Sequence, residues 1–207
     1  METIETNTQK KVSFITLGCK VNQYDSDAMR TLFVRNGYAQ AGENDDADVY
    51  VVNTCSVTSI GDRKSRQMVR RIRRAHPKAI IAVAGCYAQL APEVFEKMGD
   101  VDVIVGLQNR TRIVDYVEQA MHRTDNRPLN ETVDIMKVDH FENMEVDMAG
   151  EVRTRAFVKV QEGCDNYCTF CIIPYARGKL KSRLQADAVH EITRLVSEGY
   201  REVVLTG

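Results

Sequence analysis

Three cysteines lie close together in the last quarter of the chain, at Cys164, Cys168 and Cys171. This C-x3-C-x2-C spacing lets three thiolates on one loop bind three irons of a cubane iron–sulfur cluster, with the fourth iron left without a protein ligand. A structural zinc site would require four ligands, and no fourth cysteine or nearby histidine follows. The spacing favours a [4Fe–4S] cluster open to a small molecule; a chance grouping and an incomplete zinc knuckle are the alternatives.

The other three cysteines each follow a predicted strand. Cys19, Cys55 and Cys86 come just after the carboxyl ends of the first three predicted strands, the edge at which open parallel sheets bind ligands. Gly18 and Gly85 precede two of them and permit tight turns. If these strands are neighbours, in the order 2-1-3, their loops can reach one cluster. A single cysteine is more often a small core residue, but the shared placement favours a second cluster.

Short apolar runs alternate with helical segments in the first part of the chain. The predicted strands are residues 12–17, 48–53, 79–84 and 101–105, and the predicted helices are residues 26–36, 59–75, 92–97 and 110–122. Near-continuous apolar strands separated by helices predict an α/β domain with a parallel sheet covered on both faces, Rossmann- or flavodoxin-like. We assign it to residues 12–123, after a disordered tail at residues 1–11. Residues 124–150, polar and acidic, are predicted to be a linker.

A second unit is predicted at residues 151–207. It contains a strand at residues 156–160, the cysteine loop, a helix at 186–198 and a strand at 202–206. One βαβ unit cannot cover its own sheet edges, so this unit is predicted to be the start of a truncated domain.

The net charge of −1 conceals two basic groups. Four arginines recur every three or four residues along the second predicted helix, which places them on one face, and two more follow the cysteine loop. The candidate RNA contacts are Arg63, Arg66, Arg70, Arg74, Arg177 and Arg183. The alternatives are a solvated helix face and, for the last two, ion pairs with the acidic linker.

The composition and the first residues of the chain indicate the cellular compartment. No apolar run approaches the roughly 18 residues that a membrane span requires, and the first residues lack the apolar region of a secretory signal. A cytoplasmic protein without a membrane partner is expected, and in a reducing compartment six cysteines point to metal binding or catalysis rather than disulfides.

The cysteine loop resembles the signature of the radical S-adenosylmethionine (SAM) superfamily, C-x3-C-x-aromatic-C, with Phe170 in the aromatic position. The resemblance implies that the open iron binds SAM and that the preceding strand begins a partial βα barrel. The unit would then be the first βαβ portion of that barrel. Tyr167 and Phe170 are the candidate SAM contacts.

The whole chain from about Val12 to Gly207 is similar to a narrower family, the methylthiotransferases. The segments that carry the similarity are Leu17–Asn22, Asn53–Thr58, Ala84–Gln89 and Gly163–Arg183. The resemblance implies two [4Fe–4S] clusters, one at Cys19, Cys55 and Cys86 that delivers sulfur, and one at the later cysteines that activates a C–H bond with SAM. It also implies a tRNA substrate, an electron donor protein and a sulfur donor.

The sequence Gly-Cys-Lys-Val-Asn at residues 18–22 is similar to the branch that converts N6-threonylcarbamoyladenosine, next to the tRNA anticodon, into its 2-methylthio derivative. The isopentenyladenosine branch usually carries Gln-Met at positions 20 and 21, and a ribosomal-protein branch is a third possibility. Family members continue beyond Gly207, so this fragment alone is expected to be inactive. A non-catalytic iron–sulfur RNA-binding module and a dithiol redox protein are the rival interpretations.

Overall fold

A computed structural model of the chain describes residues 9–43, 45–125, 127–147 and 155–207. Six parallel strands form one sheet, with helices between them. The strands are β1 (Lys11–Thr16), β2 (Ala39–Ala41), β3 (Val49–Thr54), β4 (Ile80–Gly85), β5 (Val103–Ile104) and β6 (Leu129–Asn130). The helices are α1 (Lys20–Arg35), α2 (Ser59–Ala75), α3 (Cys86–Leu90), α4 (Pro92–Met98) and α5 (Ile113–His122). The predicted α/β class with a parallel sheet is confirmed.

The strand order is β2-β1-β3-β4-β5-β6. The three strands that precede cysteines are neighbours, as expected, but the predicted order is wrong: the strand before Cys55 is central, not the strand before Cys19. The short strand β2, which the sequence pattern did not reveal, pairs with the outer side of β1. The chain therefore reverses its direction of winding between β1 and β3, and such a switch point opens a crevice at the carboxyl edge.

Apolar side chains alternate between the two faces of the sheet. Val49 and Val51 pack on one face with helix residues such as Phe33, whereas Tyr50 and Val52 pack on the other with α2 and α4. The helices α1 and α5 cover the first face. This period-two alternation is what a sheet buried on both sides requires.

The last part of the chain packs against the first. It contains β7 (Ala156–Lys159), β8 (Gln161–Glu162), α6 (Ile173–Arg177), β9 (Lys181–Ser182), α7 (Gln185–Ser197) and β10 (Val203–Thr206). Strand β7 pairs in parallel with β10, and β8 pairs antiparallel with β9, so the cysteine loop spans the gap between two paired strands. The predicted strand, helix and strand of this unit are present within one or two residues of the expected positions.

One core runs through both parts. Ala156, Val158 and Leu195 are buried in the same cluster as α1 and the sheet, together with Met144 and Val146 from the acidic segment. The described portion of the segment predicted as a linker, residues 124–125 and 127–147, thus contains β6, a 3-10 turn at Ile135–Lys137 and core residues. The division into two domains stays a prediction.

The predicted tail coincides only partly with the described residues. Residues 1–8 lie outside them, and Lys11 is already the first residue of β1. No helix in the described ranges combines the length and apolar character needed to cross a bilayer.

Candidate functional site

The first three cysteines lie at the carboxyl edge of three adjacent strands. Cys19 follows β1 and directly precedes α1, Cys55 follows β3 directly, and Cys86 follows β4 as the first residue of α3. Strand register places Asn53 between Thr16 and Ala84, so the three strands end side by side. The cysteines differ in exposure: Cys19 is exposed, whereas Cys55 and Cys86 are buried.

Glycines shape two of these loops, as the sequence predicts. Gly18 has φ +104° and Gly85 has φ +94°, both in the region that side chains disfavour. A Cβ atom on Gly18 would lie 2.7 Å from Cys55 Sγ, so the absent side chain lets the Cys19 loop approach the second cysteine. Close approach of these two loops is therefore built into the backbone.

A buried amide connects two of the loops. Asn22 Nδ2 donates to the Leu17 carbonyl at 2.8 Å and to the Thr54 carbonyl at 2.9 Å. Leu17 lies two residues before Cys19, and Thr54 directly precedes Cys55. Thr54 Oγ1 in turn donates to the Ala84 carbonyl at 2.6 Å, just before the third loop. Side chains of α1 and β3 thus hold the three loops in register.

Cys86 lies in a buried and charged environment. Burial raises the pKa of the Cys86 thiol, and the positive charge of Arg177 opposes that rise. The nearby Cys55 and Cys19 thiols add to the rise. A buried thiolate without compensation is costly, so Arg177 favours the form of Cys86 that binds metals.

The second cysteine group occupies the loop between β8 and β9. The Cys164 amide donates to the Gly178 carbonyl at 3.2 Å, and the Cys171 amide donates to the Cys168 carbonyl at 2.9 Å. Cys168 is exposed, and Cys164 and Cys171 are partly exposed. The loop is therefore anchored at its ends and open toward solvent at its centre.

The two candidate SAM contacts also lie on this loop. Phe170 is 91% exposed, and Tyr167, which has φ +47°, packs its ring edge-on against Tyr175 with 6.0 Å between centroids. An aromatic ring this exposed is free to contact a ligand. Their role in binding SAM stays a prediction.

The donor set suits an iron–sulfur cluster. Three thiols at one sheet edge, and three more on one loop, are soft ligands of the kind that iron–sulfur clusters use. Among the described residues, no three His, Cys, Asp or Glu side chains are gathered closely enough to hold a metal ion. A cubane places each thiolate on a different iron and so joins more widely spaced ligands than one ion does. The Cys19 and Cys55 loops meet at Gly18, and their thiols are ligands of the type that such a group takes.

A buried ion-pair cluster, which was not predicted from the sequence, lies between the two parts of the chain. Asp25 of α1 pairs with Lys159 of β7 and, at 2.8 Å, with Arg110. Glu162 of β8 pairs with Arg177 at 2.7 Å and with Arg110 at 3.3 Å. All five side chains are at most 5% exposed, so each charge depends on its partners.

Two predicted RNA contacts require correction. Arg177 is 4% exposed and binds Glu162 and Asn22; Arg183 is 8% exposed and binds Glu191 and the Tyr24 hydroxyl. Their guanidinium groups are thus inside the protein, away from a phosphate. Charge spacing cannot distinguish a surface arginine from one whose carboxylate partner lies elsewhere in the fold.

The basic stripe of α2 is on the surface. Arg63, Arg70 and Arg74 are exposed, and Arg66 is partly buried because it hydrogen-bonds the Tyr87 hydroxyl and lies over that ring. Tyr87 is next to Cys86, so the stripe starts near the cysteine edge of the sheet. A cavity of about 790 Å³, lined by Lys11, Asp48 and His76 among others, lies near the opposite edge and includes no cysteine.

The chain is similar to known proteins over nearly its whole length. Residues 11–106 match the model of UPF0004, described as an uncharacterized protein family. A threonylcarbamoyladenosine tRNA methylthiotransferase of Bacillus subtilis is 46% identical over 95% of this chain and 43% of its own length. The chain is similar to methylthiotransferases over nearly its whole length. The corresponding Aquifex aeolicus protein is 42% identical over 95% of this chain and 47% of its own length.

A second type of relative is more distant. A tRNA-2-methylthio-N(6)-dimethylallyladenosine synthase of Clostridium perfringens is 31% identical over 99% of this chain and 46% of its own length. The chain therefore spans less than half the length of the curated relatives it matches. Among solved structures, a response regulator from Thermotoga maritima gives a TM-score of 0.41 at 14% identity, over 56% of this chain and 99% of that chain.

Proposed function

We propose that the protein to which this chain belongs is a tRNA methylthiotransferase that converts N6-threonylcarbamoyladenosine to its 2-methylthio derivative. The observation that carries the proposal is the placement of Cys19, Cys55 and Cys86 on three adjacent loops at one sheet edge, together with a second three-cysteine loop that leads into α6, where Ala176 shares a buried cluster with Cys86. The threonylcarbamoyl branch is favoured over the dimethylallyl branch because the identities are 46% and 42% against 31%.

In this proposal each cysteine group holds one [4Fe–4S] cluster, and residues 155–207 begin the partial βα barrel of a radical SAM enzyme. Such clusters supply a one-electron reductant for SAM and a source of sulfur. The chain's own residues orient them: Asn22 and Thr54 hold the first three loops in register, and the Gly178 carbonyl anchors the loop of Cys164. Phe170 and Tyr167, on the open part of that loop, are the proposed SAM contacts.

The exposed arginines of α2 are the proposed tRNA contacts. Arg63, Arg70 and Arg74 present positive charge on one helix face that starts near Cys86. Phosphate contacts of this kind give affinity without sequence preference, so they position a tRNA rather than select it. The proposed further partners are an electron donor protein and a sulfur donor.

Mass spectrometry of tRNA nucleosides tests the substrate. Cells lacking the gene should lose the methylthio-threonylcarbamoyl nucleoside and keep the methylthio-isopentenyl one, and the full-length gene should restore the first. Loss of the isopentenyl product alone would contradict the proposed substrate.

Iron analysis tests the two-cluster assignment independently of substrate. Anaerobic reconstitution of the full-length protein should give about eight irons per chain, and about four after Cys164, Cys168 and Cys171 are all changed to alanine. Changing Cys19, Cys55 and Cys86 instead should also leave about four. Four irons in the unmutated protein, insensitive to loss of Cys19, would reject the assignment.

A further inference from the structure

The Arg177 side chain lies between the two cysteine groups. It extends from α6, which follows the second cysteine loop, and its guanidinium reaches α1. Its Nη2 donates to Asn22 Oδ1 at 2.7 Å, and its Nη1 donates to Glu162 Oε1 at 2.7 Å. The fork of the guanidinium is thus shared between a residue of the first part and a residue of the second.

Asn22 transmits this contact to the first cysteine group. Its Nδ2 donates to the Leu17 and Thr54 carbonyls, and its Oδ1 accepts from Arg177. A side-chain amide has two donor hydrogens, and both are used here. Because Asn22 is 0% exposed, any rotation would leave buried polar groups unpaired, so the Leu17 and Thr54 carbonyls and Arg177 together fix the orientation of the amide.

The backbone beside Arg177 supports the second cysteine group. The Gly178 carbonyl accepts from the Cys164 amide at 3.2 Å, and the Arg177 carbonyl accepts from Lys181 Nζ at 2.9 Å. A displacement of Arg177 would therefore move the anchoring point of the Cys164 loop. Arg177 is thus linked to both groups indirectly, to the first through Asn22 and to the second through the carbonyl of its neighbour Gly178.

The charge of Arg177 acts on the first group as well. Ala176, directly before Arg177, is buried in the same apolar cluster as Cys86, and the Arg177 guanidinium donates to Asn22, whose amide binds the carbonyls beside the Cys19 and Cys55 loops. A guanidinium is never deprotonated in proteins, so its positive charge is a permanent part of this site.

We propose that Arg177 is a positioning residue that holds the Cys19, Cys55 and Cys86 loops at a fixed spacing from the Cys164–Cys171 loop and supplies a permanent positive charge to the first group. The inference rests on the proposed function, because it assigns a role to Arg177 only if both groups bind clusters. A positive charge next to a cluster stabilises its reduced form.

Two variants of the full-length protein separate charge from geometry. Arg177→Gln removes the positive charge, and Arg177→Lys keeps it but loses the planar fork that bridges Asn22 and Glu162. Arg183→Gln and Arg183→Lys are matched controls, because Arg183 is also buried and paired with a carboxylate but makes no hydrogen bond to Asn22.

The first readout is the reduction potential of the first cluster, measured without tRNA in a background where Cys164, Cys168 and Cys171 are alanine. Arg177→Gln should lower this potential, whereas Arg177→Lys and both Arg183 variants should leave it unchanged. If the first cluster has the same reduction potential in Arg177→Gln as in the protein that keeps Arg177, the electrostatic part of the proposal is overturned.

The second readout is the magnetic interaction between the two reduced clusters, observed by electron paramagnetic resonance with all six cysteines present. Arg177→Lys should alter this interaction and lower turnover about tenfold through kcat, since a small misplacement of reacting groups has such an effect. The Arg183 variants should keep the unmutated spectrum. An unchanged spectrum in Arg177→Lys would overturn the positioning role. If Arg177→Gln does not fold, the measurement on Arg177→Lys still tests the proposal.

The proposed function fails in a different way. If the unmutated protein binds about four irons instead of eight, the two-cluster assignment fails before any variant is compared. If it binds both clusters and the Arg177 variants behave like their Arg183 controls, only the role of Arg177 fails.

Discussion

Cys86 illustrates why single residues are hard to interpret from sequence. It is 3% exposed, as a small core residue would be, and by burial alone it would fit the common structural role of cysteine. Its surroundings are different, because Arg177 and the two other early cysteines all act electrostatically on its thiol. The sequence predicts that Cys86 lies at the carboxyl edge of the sheet with Cys19 and Cys55. Its charged partner, Arg177, lies far along the chain, and only the fold brings it near.

Gly18 gives a prediction at the same scale. Gly18→Ala forces a side chain into φ +104° and places a Cβ 2.7 Å from Cys55 Sγ. We expect a loss of about 2–4 kcal/mol in the free energy of unfolding, from backbone strain plus the clash. Urea denaturation of the metal-free protein measures it.

The control is Gly37→Ala. Gly37 has φ +85° with no atom within 4 Å of the added Cβ, so only the strain of about 1–2 kcal/mol is expected. Equal losses in the two variants would show that the contact with Cys55 does not constrain the loop.

The presence of helices and strands was predicted more reliably than the residues at which they begin and end. The apolar runs of β1, β3 and β4 give central strands at the expected places, because strands buried on both faces are apolar throughout. The helix predicted from residue 26 starts at Lys20, since its first turns bury polar residues such as Asn22 and Asp25 for tertiary contacts. Polar residues at this spacing on an otherwise apolar helix face were the signal that could have revealed the ion-pair cluster.

The α2 helix carries the prediction at this scale. Changing Arg63, Arg70 and Arg74 together to glutamine should weaken tRNA binding of the full-length protein by tenfold or more at about 0.15 M salt. The slope of log affinity against log salt should fall by about two to three, because each lost phosphate contact removes nearly one released counterion. Fluorescence anisotropy across a salt series measures both.

Exposed basic residues of other elements provide the control: Lys97, Arg112 and Lys137. Their triple change to glutamine removes the same total charge. If it weakens binding and reduces the salt slope as much as the α2 variant does, then overall charge and not the α2 face determines affinity.

On the scale of the whole molecule, the two parts are held together by apolar packing and by the ion pairs of Asp25, Glu162, Arg110, Lys159 and Arg177. Burial by itself raises the pKa of Asp25, but the charges of Arg110 and Lys159 outweigh it and hold the pKa well below the ordinary value. The pKa of Glu162 is lowered in the same way, with Lys159 and Arg110 outweighing burial. Composition could not predict this arrangement, because its members come from separate elements.

Acid should therefore weaken the folded state. A carboxylate with a lowered folded-state pKa stabilises the protein above its unfolded pKa of about 3.9, and this stabilisation is lost as the pH falls toward the folded-state pKa. We expect Asp25→Asn to lower the free energy of unfolding by about 3–5 kcal/mol at pH 7 and to flatten its decline below about pH 5. Urea titrations from pH 3 to pH 7 measure both effects.

Asp125→Asn is the matched control, because Asp125 is exposed and pairs with Arg123, two residues before it. Its stability curve should follow that of the unmutated protein. A curve for Asp25→Asn that runs parallel to the unmutated one, with the same acid limb, would contradict the role assigned to the buried pairs.

The continuous core has a practical consequence for dissecting this protein. A piece that stopped at residue 123 would expose to water the apolar surface of α1 that now meets Val158 and Leu195, and would leave Asp25 without Lys159. Expressed alone, such a piece would aggregate or misfold, and its failure to bind iron would reveal nothing about its cysteines. The cysteine loops of the first part therefore have to be studied with the segment up to Gly207 attached.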